Sequence, residues 1–92
     1  MAWTMKYTET SQRQLKKLDR SLALRVLDYM DERIATLEDP RSQGKNLVGP
    51  KMGSYWRYRV GDVRVICDLQ DQVLLILVID FGHHPEVDRT KQ

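Results

Sequence analysis

The chain is predicted to fold as a small two-layer α+β domain in the order strand, two helices, three strands (β-α-α-β-β-β). Three observations carry that prediction. Ninety-two residues support one domain, 1–92, with one modest core, and leave no room for a second domain. Apolar residues recur at three- and four-residue spacing between Leu22 and Leu37, the period of a helix lying on a core. From Tyr55 to Phe81 the pattern changes to alternation broken by short turns, the mark of an antiparallel meander.

Each element has its own signal. Trp3 to Tyr7 alternates polar and apolar residues and is expected to be a short first strand. Thr8 or Thr10 can cap a first helix, whose apolar side chains Leu15 and Leu18 run up to Asp19. The second helix carries Leu22, Ala23, Val26, Leu27, Met30, Ile34 and Leu37 on one stripe, and Pro40 ends it. A loop is expected from Arg41 to Ser54, where Gly44, Gly49, Pro50 and Gly53 interrupt any period. The meander then runs Tyr55 to Val60, Val63 to Leu69 and Val73 to Phe81, with turns at Gly61-Asp62 and Gln70-Asp71-Gln72. Its last strand is almost wholly apolar, which places it inside the sheet, and Gly82-His83-His84-Pro85 is expected to stop it.

Charge is distributed unevenly. The net charge is only +2, yet Lys45 to Cys67 holds five bases (Lys45, Lys51, Arg57, Arg59, Arg64) and one acid, Asp62. Period 2 turns Trp56, Tyr58 and Val60 to one side of their strand and Arg57 and Arg59 to the other. One face is then core and the opposite face cationic, a surface suited to a polyanion such as RNA or DNA. A solvated strand face, or an ion pair from Arg64 to Asp62 or Asp68, is the plainer reading of the same residues.

Other chemistries find no support. The lone cysteine, Cys67, has no internal disulfide partner and sits among apolar neighbours, as a buried thiol in a reducing compartment would. There is no Cys/His ligand set, Gly-rich phosphate loop or Gly-x-Ser-x-Gly elbow, so neither metal nor cofactor is expected. The longest apolar run, Val73 to Ile79, is too short to span a bilayer, and no signal peptide is visible. A cytoplasmic location without membrane contact is expected.

The element order, the Leu47-Val48-Gly49 step, the run Trp56-Arg57-Tyr58-Arg59-Val60-Gly61-Asp62-Val63-Arg64-Val65-Ile66 and the Gly82-His83-His84 ending together resemble the RelE/ParE toxin superfamily, the RelE branch most of all. The resemblance spans Trp3 to about Arg89. It implies the toxin of a type II toxin-antitoxin module, with a RelB-like antitoxin as partner and operator DNA reached only through that antitoxin. RelE-type members act on the ribosome and cleave mRNA there; ParE-type members inhibit DNA gyrase without cutting RNA. The antitoxin is expected to lay an acidic or amphipathic helix across the toxin helices, close to the cationic sheet.

Ribonuclease chemistry explains what the family's basic side chains do. When a 2′-hydroxyl attacks the adjacent phosphate, a proton must leave, a phosphorane must be neutralised and the departing 5′-oxygen must be protonated. The resemblance assigns charge stabilisation to Arg64, phosphate binding to Arg57 and Arg59, and assistance to proton transfer to Arg59. Lys45, Lys51, His83 and Tyr55 complete the RNA-binding set, Tyr55 as a base-stacking residue. For His83 a capping role is the alternative, and for Tyr55 simple packing. Many relatives end in Gly-His-Arg followed by a tyrosine, whereas here His84 stands for the arginine and Asp88 for the tyrosine. His84 can act as acid or base near neutrality, and Asp88 can orient it or serve as the base; a plain surface acid is the other reading of Asp88. The same departures suit a gyrase-directed ParE-like protein, or an inactive toxin retained as corepressor.

Overall fold

In the computed structural model, which describes residues 3–47 and 55–83, the first strand β1 runs Thr4–Tyr7 and hands directly to helix α1, Glu9–Lys17. Thr8 makes that junction. Its hydroxyl accepts from the Ser11 amide at 3.1 Å, and the fully buried Ser11 hydroxyl returns a bond to the Thr8 carbonyl at 2.9 Å. This satisfies helix-end groups that would otherwise be orphaned. Leu18 takes an extended backbone at the C-cap, so α1 ends one residue before the last apolar residue of its pattern.

The second helix α2, Arg20–Tyr29, continues into a π-helical turn, Met30–Ile34. Val26, Met30 and Ile34 on this segment are completely buried. The wider turn keeps Met30 and Ile34 both inward at four-residue spacing, and the expected single long helix is thus two segments with one continuous apolar stripe. Pro40 opens a 3-10 turn, Pro40–Ser42, capped by the Asp39 carboxylate on the Arg41 amide at 3.0 Å.

A five-stranded mixed sheet receives the helices. Besides β1 it contains β2 (Lys45–Asn46), β3 (Tyr55–Val60), β4 (Val63–Gln70) and β5 (Leu75–His83), in the spatial order β1-β5-β4-β3-β2. The meander β3-β4-β5 is antiparallel, and β1 lies parallel to β5 with Thr4 opposite Leu75. The apolar last strand is therefore interior, as its composition requires. The last strand starts at Leu75 and not at Val73, because Asp71–Val73 forms a 3-10 turn, and two further details depart from the expected pattern. A two-residue strand forms inside the segment expected to be loop, and β5 continues through Gly82 to His83 instead of stopping at Phe81.

The core lies between the helices and one face of the sheet. Tyr58, Val60, Val63, Val65, Cys67, Leu69, Ile76, Val78 and Phe81 meet Val26, Met30 and Ile34 there. Tyr58 brings its hydroxyl into this layer because the Pro40 carbonyl accepts from it at 2.8 Å. Among the described residues no helix covers the opposite face of the sheet, and the cationic residues fall on it. Among the described residues no helix is long and apolar enough to cross a membrane.

Candidate nucleic-acid interface

Strand register converts the sequence pattern into rows across the open face. Lys45 of β2 stands opposite Arg57, and Arg57 stands opposite Ile66. One row further along, Arg59 is paired with Arg64, and Arg64 with Gly82 of β5. Side chains directly opposite on one face have Cβ atoms ~4.5–5.5 Å apart, and like charges so placed are destabilising. Four cations thus share one small area at a cost to the fold, which a ligand of opposite charge would offset.

None of the ion pairs among the described residues involves this group. They are Arg13 with Glu9 and Arg41 with Asp39 and Asp71. The plainer reading of Arg64, an ion pair to Asp62 or Asp68, is thereby excluded. Arg64 is half-buried, and its Nε is shut away from solvent with no hydrogen-bond partner among the described residues. Arg59 is exposed and Arg57 half-buried.

Two concavities are formed by described residues on this face and at its edge. A notch of about 350 Å³ at the β2–β3 edge is lined by Tyr29, Gly44, Lys45, Arg57 and Arg59. A hollow of about 370 Å³ crosses β3, β4 and β5 and is lined by Leu47, Tyr55, Arg64, Ile66, Ile79 and Asp80. The Arg59–Arg64 pair joins the two. Gly82 places no side chain opposite Arg64, and a Cβ built there would meet nothing within 4 Å among the described residues.

Gly44 shapes the notch. Its φ of +78° lies in the left-handed region, and an added Cβ would collide with the Arg57 carbonyl and the Tyr58 and Trp56 rings. The Trp56 indole N–H donates to the Gln43 carbonyl, and the Leu47 amide donates to the Tyr55 carbonyl at 3.1 Å. These bonds hold Lys45 beside Arg57.

Of the residues expected at the site, Lys45, Tyr55, Arg57, Arg59 and Arg64 are gathered on this face. Lys51, His84, Asp88 and the side chain of His83 lie outside the described residues. Tyr29, Gln14 and Asp80 escaped the sequence reading as site residues. Tyr29 follows the helical stripe and gives no sign that it reaches a sheet edge, while Gln14 meets Asp80 from 66 residues away. Cys67 has no access to this face: it is fully buried, and burial pushes its thiol far up, away from the reactive thiolate. No cluster of three His, Cys, Asp or Glu side chains able to hold a metal occurs among the described residues.

Residues 5–87 match the family model of the ParE toxin of the type II toxin-antitoxin system parDE. The chain belongs to this toxin family, within the RelE/ParE superfamily. The toxin fold is also that of solved RelE structures. A chain of the RelBE2 toxin-antitoxin complex from Mycobacterium tuberculosis superposes with a TM-score of 0.81 at 20% identity, covering 91% of this chain and 93% of that one. A mutant of Escherichia coli RelE in the free state gives 0.74 at 20% identity, covering 99% and 92%. The archaeal RelE-RelB complex from Pyrococcus horikoshii gives 0.65 at 21%, covering 90% and 96%. No curated protein matches the toxin. The family model carries the ParE description, whereas the resemblance read from the sequence favoured the RelE branch.

Proposed function

We propose that this toxin is a ribosome-dependent mRNA endoribonuclease, neutralised by a RelB-like antitoxin. The observation that carries this reading is the cross-strand Arg59–Arg64 pair with Arg57 and Lys45 beside it. Guanidinium forks bind phosphate oxygens through paired hydrogen bonds and stay charged at cellular pH. With a phosphodiester over this ridge, the 2′-oxygen attacks phosphorus, Arg64 neutralises the phosphorane and Arg59 holds a second oxygen. The bond to the 5′-oxygen then breaks, leaving a 2′,3′-cyclic phosphate and a free 5′-hydroxyl. Asp88 or His84 takes the 2′-hydroxyl proton, and protonated His84 supplies one to the leaving oxygen. The test is primer extension on a defined mRNA with and without ribosomes. Cuts that need ribosomes are expected, and Arg64→Ala should reduce them by roughly 10²–10³. Unbroken message with unimpaired translation would sink the reading.

The ParE family match supports a second reading, gyrase inhibition with the cationic face used only for recognition. His84 and Asp88, standing where cleaving relatives keep arginine and tyrosine, favour it too. A supercoiling assay separates the two: on the nuclease reading gyrase turns over normally at toxin concentrations that stop translation.

A further inference from the structure

The hollow beside Arg64 contains a carboxylate that phosphate chemistry does not call for. Asp80 Oδ1 accepts from Gln14 Nε2 at 2.7 Å, and Gln14 Oε1 in turn accepts from the Phe81 amide at 2.9 Å. Both ends of the Gln14 amide are therefore committed, and Asp80 is clamped in one orientation. Asp80 forms no ion pair among the described residues, although Arg64 lines the same hollow. The aliphatic side chains Ile66 and Ile79 line the hollow with them, and Tyr55 of β3 does too. An extra residue in β5 creates this arrangement: Ile66 faces Asp80 and Cys67 faces Val78, so Ile79 is the bulge and aims at the open face.

An apolar hollow of this size, with an aromatic wall and one fixed acceptor, has the make-up of a small-ligand site. Resting on the reading of this face as an RNA surface, we propose that the hollow binds a single unstacked guanine, read by Asp80, while Arg64 holds the attached phosphate. The selectivity follows from donor patterns. An ionised carboxylate only accepts, and its two oxygens offer about four lone-pair sites, so the bond from Gln14 leaves room for a base. Guanine presents two adjacent donors, N1–H and the 2-amino group, which match a carboxylate edge. Adenine and cytosine place an acceptor beside their single amino donor, and uracil flanks its N3–H with two carbonyls; each would set an acceptor against Asp80. Unstacked bases are commonly bound in this way, by stacking plus hydrogen bonds to the Watson–Crick edge.

The test uses the full-length toxin and 3′-mononucleotides, followed by NMR shifts of Tyr55, Ile66 and Ile79. Guanosine 3′-monophosphate should move these signals and bind roughly tenfold more tightly than the inosine analogue, which lacks only the 2-amino donor. The adenine, cytosine and uracil nucleotides should bind more weakly still. Asp80→Asn should erase the guanine preference, while Tyr55→Ala should weaken all bases alike, and a melting curve verifies that each variant is folded. Equal binding of all bases, a preference that survives Asp80→Asn, or no shifts in the hollow with any nucleotide would overturn the proposal. Because binding is read without cleavage, guanine selectivity in a toxin that cuts no mRNA would uphold the pocket and remove only the nuclease.

Discussion

At the scale of single residues, the Arg59–Arg64 pair sets function against stability. Two cations directly opposite on adjacent strands repel by ~0.2–1 kcal/mol. Arg59→Thr should therefore raise the unfolding free energy by up to about 1 kcal/mol while weakening RNA binding, as urea melts and a filter-binding assay would reveal; a loss of both would mean that Arg59 is structural. Tyr58 shows the opposite balance. Its hydroxyl is the buried donor to the Pro40 carbonyl, and Tyr58→Phe should cost ~0.5–1.5 kcal/mol, the worth of one hydrogen bond, because the Gln43 amide still donates to that carbonyl at 3.4 Å. Cys67, fully buried with its thiol pushed up, should stay unmodified by a thiol reagent in the native toxin and react once urea unfolds it.

At the scale of elements, strand faces and the helical stripe could be read from the sequence because each depends on local period. Trp56, Tyr58 and Val60 point inward and Arg57 and Arg59 outward for the reason their alternation implies. What stayed hidden depends on distant partners. The β1–β5 parallel pairing, the Gln14–Asp80 bond and the Ile79 bulge join segments whose sequences carry no mark of one another. β2 was invisible for a different reason. Two polar residues have no period, and the strand exists because Gly44 turns the chain and Trp56 and Tyr55 hold its flanks. Gly44→Ala tests that account. With φ at +78° and no room for a Cβ, it should release β2 from β3, abolish amide protection at Leu47 in hydrogen exchange, and leave the protection of β4 intact.

At the scale of the whole molecule, the net charge of +2 provides little long-range attraction, so affinity for a polyanion must come from the local ridge. Single-stranded nucleic acid releases counterions in proportion to the phosphates neutralised, with a slope in log K against log salt of ~−0.7 per contact. If Lys45, Arg57, Arg59 and Arg64 each meet one phosphate, the slope for a short unstructured RNA should be about −2.8, and Arg64→Ala should bring it to about −2.1. Arg13→Ala, which removes an exposed cation already paired with Glu9 on α1, should leave the slope unchanged. A slope that responded equally to both substitutions would mean diffuse attraction by the whole surface, and the open face of the sheet would lose its claim to be the binding site. A slope that responded only to the ridge would localise the polyanion to one face, leaving the helical face for contacts of another kind.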